Sequence, residues 1–301
     1  MHAYISDLQA ANACEIRFQE KLAPYTTWKI GGPADVFLIP ENKEKLVETL
    51  RILHQHQVPW MVIGKGSNML VSDKGVRGVV IKLGKMLDTL HFEDTLVYAG
   101  GAYSLIKLSV MTGKEGLTGL EFAGGIPGSV GGAVYMNAGA HSSDVSRILK
   151  QAEVLMSTGE VKILQGSDLE FAYRHSRLQR EPGIVLEAVF QLEPGDRKEI
   201  AAALAANKDR RLRTQPLSAA CAGSVFRNPV GTFAAKLIEE AGLKGLRVGG
   251  AEVSSLHANF IVNTGDATAE DVLTLIARIQ DMILTQKGIK LVPEVLMVGE
   301  Q

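Results

Sequence analysis

Cysteine is almost absent from this chain: Cys14 and Cys221 are the only two in 301 residues. Two isolated thiols build neither a disulfide framework nor a cysteine-based metal site, and the simplest reading is a cytosolic protein with reduced thiols. An excess of charge of one sign is lacking too. Lys and Arg number 32 against 33 Asp and Glu, for a net charge of −1, which excludes the basic footprint of a nucleic-acid binder. No apolar run approaches the ~18 residues of a membrane span. The first residues mix acidic and polar side chains, so no signal-peptide core is expected. Hydrophobic residues at 46% and charged residues at 22% match an ordinary globular enzyme. A length of 301 residues suggests two domains, or three small ones.

Glycine is present where it is least expected. Residues 116–140, GLTGLEFAGGIPGSVGGAVYMNAGA, hold eight of the 31 glycines and no charge after Glu121. A flexible linker would set Ser or Pro between its glycines. Here Phe122, Ile126, Val130, Val134, Tyr135 and Met136 are interleaved instead. Glycine without a Cβ lets main-chain N–H groups come close to a large ligand. The alternative is tight loops packed under a sheet with no ligand.

A second glycine motif points the same way. The apolar run Pro59 to Ile63 reads as a buried strand and leads into Gly64-Lys65-Gly66-Ser67-Asn68. This is not the dinucleotide fingerprint. Met69 stands where the third glycine of G-x-G-x-x-G belongs, and MLVSDKGVRG reads as an apolar pair and a turn, not a helix start. Backbone N–H groups of such a loop, with the Ser67 hydroxyl and the Asn68 amide, can still nest a phosphate. Two such motifs suit one long ligand touched at two points, such as a dinucleotide cofactor.

The pattern along the chain predicts an α+β protein. Strands are expected at 34–40, 78–83, 184–192 and 291–298, with paired strands at 87–92 and 96–99 and a hairpin of 152–156 with 161–164 around Ser157-Thr158-Gly159. Helices are expected at 43–57, at 105–111 closed by Gly113, at 196–213, at 233–243 and at 269–287, the last with a Thr268/Asp271 capping box. Composition shifts near Pro194-Gly195. The cations at 210–213 read as the solvated end of a helix.

An ordered set of motifs now stands out: Thr26 to Gly32 (TTWKIGG), GKGSN at 64–68, AGGIPGSVGGAVYMNAGA at 123–140, Tyr173-Arg174-His175-Ser176, AGSVFRNP at 222–229 and Pro293-Glu294-Val295. Over nearly the whole chain this set resembles the UDP-N-acetylenolpyruvoylglucosamine reductase family. These are flavoproteins that form UDP-N-acetylmuramate for bacterial peptidoglycan synthesis, and so serve cell-wall biogenesis, cell shape and cell division. The resemblance implies a FAD-binding domain of the vanillyl-alcohol-oxidase type, made of two α+β subdomains, plus a smaller α+β substrate-binding domain. The expected FAD domain is 1–195, with subdomains of about 1–85 and 86–195, and the substrate domain is 196–301. The stretch Ser176 to Ile184 is too short for the tyrosine-bearing loop of the family's longer type, so the chain is similar to the shorter, second type.

The resemblance also implies residue roles. FAD would be held by Gly64, Lys65, Gly66, Ser67 and Asn68 at its pyrophosphate. Gly124, Gly125, Ile126, Pro127, Gly128, Ser129, Gly131 and Gly132 would line its ribityl chain and ring. The 64–68 loop has no histidine, so attachment is expected to be non-covalent. NADPH reduces the flavin and leaves before the UDP-sugar enters, and no metal is expected. Reduction of an enolpyruvyl ether at C3 leaves negative charge at C2, delocalised into the carboxylate. Arg174 matches the family arginine that grips the carboxylate. Ser224 matches the proton donor to C2, and Glu294 a polarising acid beside it. Inside the apolar run LVPEVLMV a carboxylate needs a partner. Asn228 aligns with a substrate-binding asparagine, Arg227 could meet the diphosphate and His257 matches a position near substrate. Read without the resemblance, Arg174 is more often a surface ion-pair residue and Ser224 usually a turn residue, while His257 is equally a satisfied structural histidine. Two rival functions stay open: an FAD-linked alcohol or sugar oxidase, and a flavin-binding module without catalysis.

Overall fold

A computed structural model describes residues 3–300, so Met1, His2 and Gln301 at the edges of the expected domains lie outside the described residues. By packing the chain forms two units. The first comprises residues 1–17, 36–64 and 78–209, the second 18–35, 65–77 and 210–301. This division runs through more segments than a single cut at 195/196. The chain passes from one unit to the other inside the strands Glu15–Lys21, Pro33–Ile39 and Val76–Lys82, which a linear reading of composition does not register.

The first unit has two cores. One is built from the helices α1 (Ala3–Ala10) and α2 (Lys43–Gln55) against a sheet of order Glu15–Lys21, Pro33–Ile39, Val76–Lys82, Trp60–Ile63. Leu46, Leu50 and Leu53 recur on one face of α2 and are fully buried with Val36, Leu38, Val79 and Ile81. Asn42 caps α2 by accepting from Lys45 N–H. Trp60–Ile63 runs parallel to Val79–Lys82. The second core lies on a five-stranded antiparallel sheet of order Val161–Gln165, Leu149–Met156, Gly183–Gln191, Leu96–Gly100, Leu90–Glu93. It is covered by α3 (Leu105–Glu115) and α4 (Val130–Met136) and filled by Val97, Leu105, Leu108, Val130, Val134, Ala152 and Phe190.

Two helix expectations change here. The helix at 105 does not close at Gly113 but continues to Glu115, where Gly116 takes the left-handed cap with φ 77°. Gly113 stays helical for a packing reason: a Cβ there would stand 2.9 Å from Cγ2 of Ile200 in α5 (Arg197–Thr214). Within the glycine stretch, 130–136 forms the short helix α4, entered through Ser129 and left at Asn137 with φ 43°. Its two glycines hid it from a propensity reading, since each weakens a helix by about 1 kcal/mol.

The second unit has its own core, in which Trp28, Leu70, Phe226, Ile238, Val253, Ile261, Val272, Leu275 and Ile279 are buried. Helices α6 (Ala234–Glu240) and α7 (Ala269–Lys287) pack with the antiparallel strands Arg247–Val248, Ala251–Val253 and Ile261–Asn263. The Thr268/Asp271 capping box is present at α7. Asp73 adds a further cap, accepting from Ala269 N–H at 2.9 Å and Glu270 N–H at 3.0 Å. The expected strand 291–298 is reduced to Leu296–Val298, which runs parallel to Met69–Val71. Pro293 is the cause, since proline cannot donate to a ladder, and it forms only an isolated bridge with Phe226.

Candidate active site

The glycine motifs are built by close backbone approach. In the first unit, the loop 101–104 after strand Leu96–Gly100 straps the second motif: Leu105 N–H bonds to Gly128 O (3.1 Å), Val130 N–H to Tyr103 O (2.9 Å) and Gly131 N–H to Gly101 O (2.9 Å). A Cβ on Gly131 would lie 3.0 Å from Gly101 O. Ser129, the N-cap of α4, accepts from Gly132 N–H at 3.3 Å. The same hydroxyl faces the first motif, where a Cβ on Gly64 would stand 2.8 Å from Ser129 Oγ. Lys82 Nζ donates to the Gly64 carbonyl oxygen. Gly64 and Ser129, 65 residues apart in sequence, therefore sit side by side.

The remainder of the first motif belongs to the second unit. Gly66 has φ 61°, and a Cβ there would collide with the Tyr25 carbonyl oxygen. Its own carbonyl accepts from Thr27 N–H at 3.1 Å. The TTWKIGG motif thereby fixes the loop from outside, anchored by fully buried Trp28, whose indole N–H donates to Ile261 O at 2.8 Å.

Arg174 lies at the tip of a tight turn in the first unit. Ala172 and His175 exchange backbone hydrogen bonds of 3.2 and 3.1 Å, and Arg174 itself adopts φ 56°, an unusual conformation for a residue with a Cβ. The turn is tied to the end of α4. Asn137, 3% exposed, donates to Ala172 O (3.0 Å), Ser176 Oγ to Tyr135 O (2.7 Å), and Gln179 Nε2 to both Tyr135 O and Arg174 O (3.1 Å each). The guanidinium donates to Gly139 O at 3.0 Å and lies 5.1 Å from the Tyr173 ring centroid.

The segments that hold Ser224 and Glu294 are paired in the second unit. Glu294 N–H donates to Val225 O at 2.7 Å and Arg227 N–H to Val292 O at 2.9 Å. This short ladder pairs Glu294 with Val225, the residue after Ser224. Asn68 Nδ2 donates to Glu294 O at 3.3 Å, and Leu296 N–H donates to Asn68 O at 3.0 Å, so the end of the GKGSN loop brackets Glu294. Asn228 uses its side-chain oxygen to accept from Ala234 N–H at 3.1 Å, within the first turn of α6. Arg227 Nε is buried and makes no hydrogen bond, the one such side-chain atom among the described residues, which fits a group waiting for an anion. His257 is half-buried, with Nδ1 accepting from Asn259 N–H at 3.3 Å. Burial and nearby Lys244 push its imidazole below the ordinary value of 6.5. Cys221, three residues before Ser224, has its thiol pushed up by burial, which is inert rather than nucleophilic chemistry.

Asn259 went unremarked in the sequence although it stands two residues after His257, in the run HANFIVN at 257–263. It is 4% exposed, with its side chain bonded to both backbone polar groups of Phe226. The signal was a polar residue before an apolar strand run, which needs internal partners when buried.

Among the described residues no cluster of three or more His, Cys, Asp or Glu is placed to hold a metal ion, and no helix is long and apolar enough to cross a membrane. Comparison with known proteins gives two family matches. Residues 215–298 match the UDP-N-acetylenolpyruvoylglucosamine reductase C-terminal domain, and 34–165 match a FAD binding domain. UDP-N-acetylenolpyruvoylglucosamine reductase 1 of Bacillus anthracis is 51% identical over 300 residues, 99% of this chain and 100% of its own length. The reductase of Anoxybacillus flavithermus is 52% identical over 296 residues, 98% of each chain. Among solved structures, the UDP-N-acetylenolpyruvylglucosamine reductase of Thermus caldophilus superposes with a TM-score of 0.82 at 36% identity, covering 95% of this chain and 98% of its own.

Proposed function

The chain belongs to the UDP-N-acetylenolpyruvoylglucosamine reductase family, and from that premise we propose that Arg174, Ser224 and Glu294 carry its catalysis. The enzyme is a short-form flavoprotein of the vanillyl-alcohol-oxidase type that reduces UDP-N-acetylglucosamine enolpyruvate to UDP-N-acetylmuramate with NADPH, in peptidoglycan precursor synthesis. Its site of action is the cytoplasm, where both small-molecule substrates are found. Residues 1–195 serve the flavin and 196–301 the UDP-sugar, in keeping with the two family matches.

The close-packed glycines fit FAD. A Cβ at position 64 would stand 2.8 Å from Ser129 Oγ and one at 131 would stand 3.0 Å from Gly101 O, so glycine at both keeps the close backbone approach that lets main-chain N–H groups meet a ligand. Gly64 to Asn68 hold the pyrophosphate, and Gly124 to Ser129 with Gly131 and Gly132 line the ribityl chain and ring. FAD, once bound, supplies the hydride chemistry that no side chain can.

The chain's own residues bind, orient and protonate. Arg174 grips the enolpyruvyl carboxylate and stabilises charge spreading into it as C3 is reduced. Its left-handed backbone, clamped by Gln179 and Asn137, keeps the guanidinium from relaxing away. Ser224 Oγ delivers the proton to C2. A serine hydroxyl is a weak acid, so proximity to a strongly basic carbanionic centre has to supply the drive. Glu294 polarises or replenishes that donor. Arg227, Asn228 and His257 bind the UDP-sugar, with the unpartnered Arg227 Nε the natural contact for a diphosphate oxygen.

The observation that carries this reading is the 2.7 Å bond from Glu294 N–H to Val225 O, which brings the backbone of Glu294 beside the residue that follows Ser224. The test is an anaerobic absorbance titration. NADPH should bleach the flavin band near ~450 nm and the enolpyruvyl sugar should restore it. Bleaching without recovery would retain the flavin site and point to another acceptor.

A further inference from the structure

We infer that Asn259 is a positioning residue for the protonation step, holding the Ser224–Arg227 segment in register with Glu294. The inference rests on Ser224 being the proton donor. Three hydrogen bonds reach this segment from residue 259. Its carbonyl accepts from Val225 N–H at 2.9 Å. Its side-chain oxygen accepts from Phe226 N–H at 2.9 Å, and its side-chain nitrogen donates to Phe226 O at 2.8 Å. The amide imitates a strand partner, meeting both polar groups of one residue. On its other edge the segment pairs with 292–294 through Arg227 N–H to Val292 O and Glu294 N–H to Val225 O, the two bonds that make the Phe226–Pro293 bridge.

That arrangement has a mechanical consequence. Phe226 and Pro293 are the non-hydrogen-bonded pair of that bridge, so the 292–294 edge contributes only the two flanking bonds and Phe226 N–H and O face away from it. Neither edge is a regular strand. The side chain of Asn259 supplies what a continuous sheet would have supplied: a second, fixed partner that prevents the Ser224 segment from sliding or rotating against Glu294. At 4% exposure water cannot substitute for the lost bonds, so removing the amide leaves Phe226 N–H and O unpaired inside the core. The segment would have to move to satisfy them, and Ser224 is two residues away.

Asn259→Leu, which keeps the branched shape with bulkier methyl groups, removes both side-chain bonds. Single-turnover kinetics on the holoenzyme should show flavin reduction by NADPH within about twofold of wild type, and reoxidation by the enolpyruvyl sugar slowed roughly tenfold or more. If Asn259 acts through Ser224, the two losses are not additive: Ser224→Ala with Asn259→Leu should reoxidise no more slowly than Ser224→Ala alone. Faster amide hydrogen exchange at Phe226, with flavin content unchanged, is the accompanying structural readout. Asn259→Gln, which keeps both groups on a longer arm, should restore part of the rate. Asn259→Ser carries the same test if the leucine variant does not fold. Normal reoxidation in the Asn259 variants while Ser224→Ala is slow would overturn the positioning role alone. Equal slowing of both half-reactions, or fully additive losses, would reduce Asn259 to a structural residue and overturn it as well. Normal reoxidation in Ser224→Ala would overturn the proton-donor reading and this inference with it.

Discussion

Gln179 donates its side-chain amide to the carbonyl oxygen of Arg174 at 3.1 Å, and the same nitrogen reaches Tyr135 O at 3.1 Å. One side chain thus joins a left-handed arginine to the C-terminal end of the glycine-flanked helix α4. A non-glycine residue at φ 56° costs energy that its surroundings must offset, and a neutral hydrogen bond offsets about 1 kcal/mol. Gln179→Leu should therefore free the turn. We expect kcat/KM for the enolpyruvyl sugar to fall about tenfold, with flavin content and NADPH reduction preserved. Steady-state kinetics with both substrates varied would check it, and an unchanged kcat/KM would remove Gln179 from the placement of Arg174.

Arg174→Lys keeps the charge and loses the planar fork. The guanidinium already spends one N–H on Gly139 O at 3.0 Å, a bond that a lysine ammonium could make only by giving up part of its reach to the carboxylate. The expected result is a fall of roughly a hundredfold in the rate of reoxidation by substrate. Rapid mixing of the reduced enzyme with the enolpyruvyl sugar measures this directly, and near-normal reoxidation would show that charge alone suffices.

Ser224→Ala and Glu294→Gln divide the reaction at its midpoint. NADPH oxidation needs neither a proton on C2 nor a carboxylate beside it, so flavin bleaching should proceed at close to the wild-type rate in both. Reoxidation should slow by at least about a hundredfold in each, the usual scale of a lost general acid. Because Glu294 is joined to Val225 through its backbone N–H, substituting its side chain leaves the ladder intact. Loss of flavin from Glu294→Gln would instead reveal a structural role for the carboxylate.

These contacts also mark how far the sequence could be read. The amphipathic helix at 43–55, the hairpin around Gly159 and the capping box at Thr268 were legible because each is a local pattern with a local cause. The motif set is what nominates Arg174, Ser224 and Glu294, because resemblance in residue identity survives where geometry is invisible. Three features were not legible, for one reason. The helix at 130–136, the interleaving of chain segments between the two units and the grip of Asn259 on Phe226 are all decided by tertiary partners. Position 131 favours glycine because Gly101 O lies against the place of a Cβ, and no window of sequence around 131 contains residue 101.

The Gly64–Ser129 approach gives a test of the cofactor cradle that does not depend on turnover. An alanine Cβ at position 64 would press on Ser129 Oγ at 2.8 Å, the atom that caps α4 through Gly132 N–H. Either the hydroxyl moves and the cap is lost, or the two loops separate. Both outcomes disturb N–H groups proposed to meet the flavin. Gly64→Ala should purify with markedly less FAD, read as the ratio of flavin to protein absorbance, while its far-UV circular dichroism stays that of a folded protein. Gly84→Ala is the control, since a Cβ there meets only Pro40 O at 3.5 Å, an ordinary contact. Full flavin content in Gly64→Ala would mean that the loops tolerate separation.

His257 gives the second unit a group sensitive to acid. Its Nδ1 accepts from Asn259 N–H at 3.3 Å, which requires the neutral ring, and burial with Lys244 nearby holds its pKa below the ordinary 6.5. The unfolded chain, whose histidine titrates near 6.5, thus binds a proton more readily than the folded one. By linkage, this residue's contribution to stability is fully present above pH 6.5 and is lost as pH falls through the lower folded value. Protonation would also place an N–H donor against the Asn259 N–H and loosen the residue that grips Phe226. Melting temperatures measured from about pH 8 down to about pH 5 should fall more steeply for the wild type than for His257→Gln, whose side-chain oxygen can accept the same bond without titrating. Parallel curves would show that His257 takes up its proton in the folded enzyme as easily as in the unfolded chain.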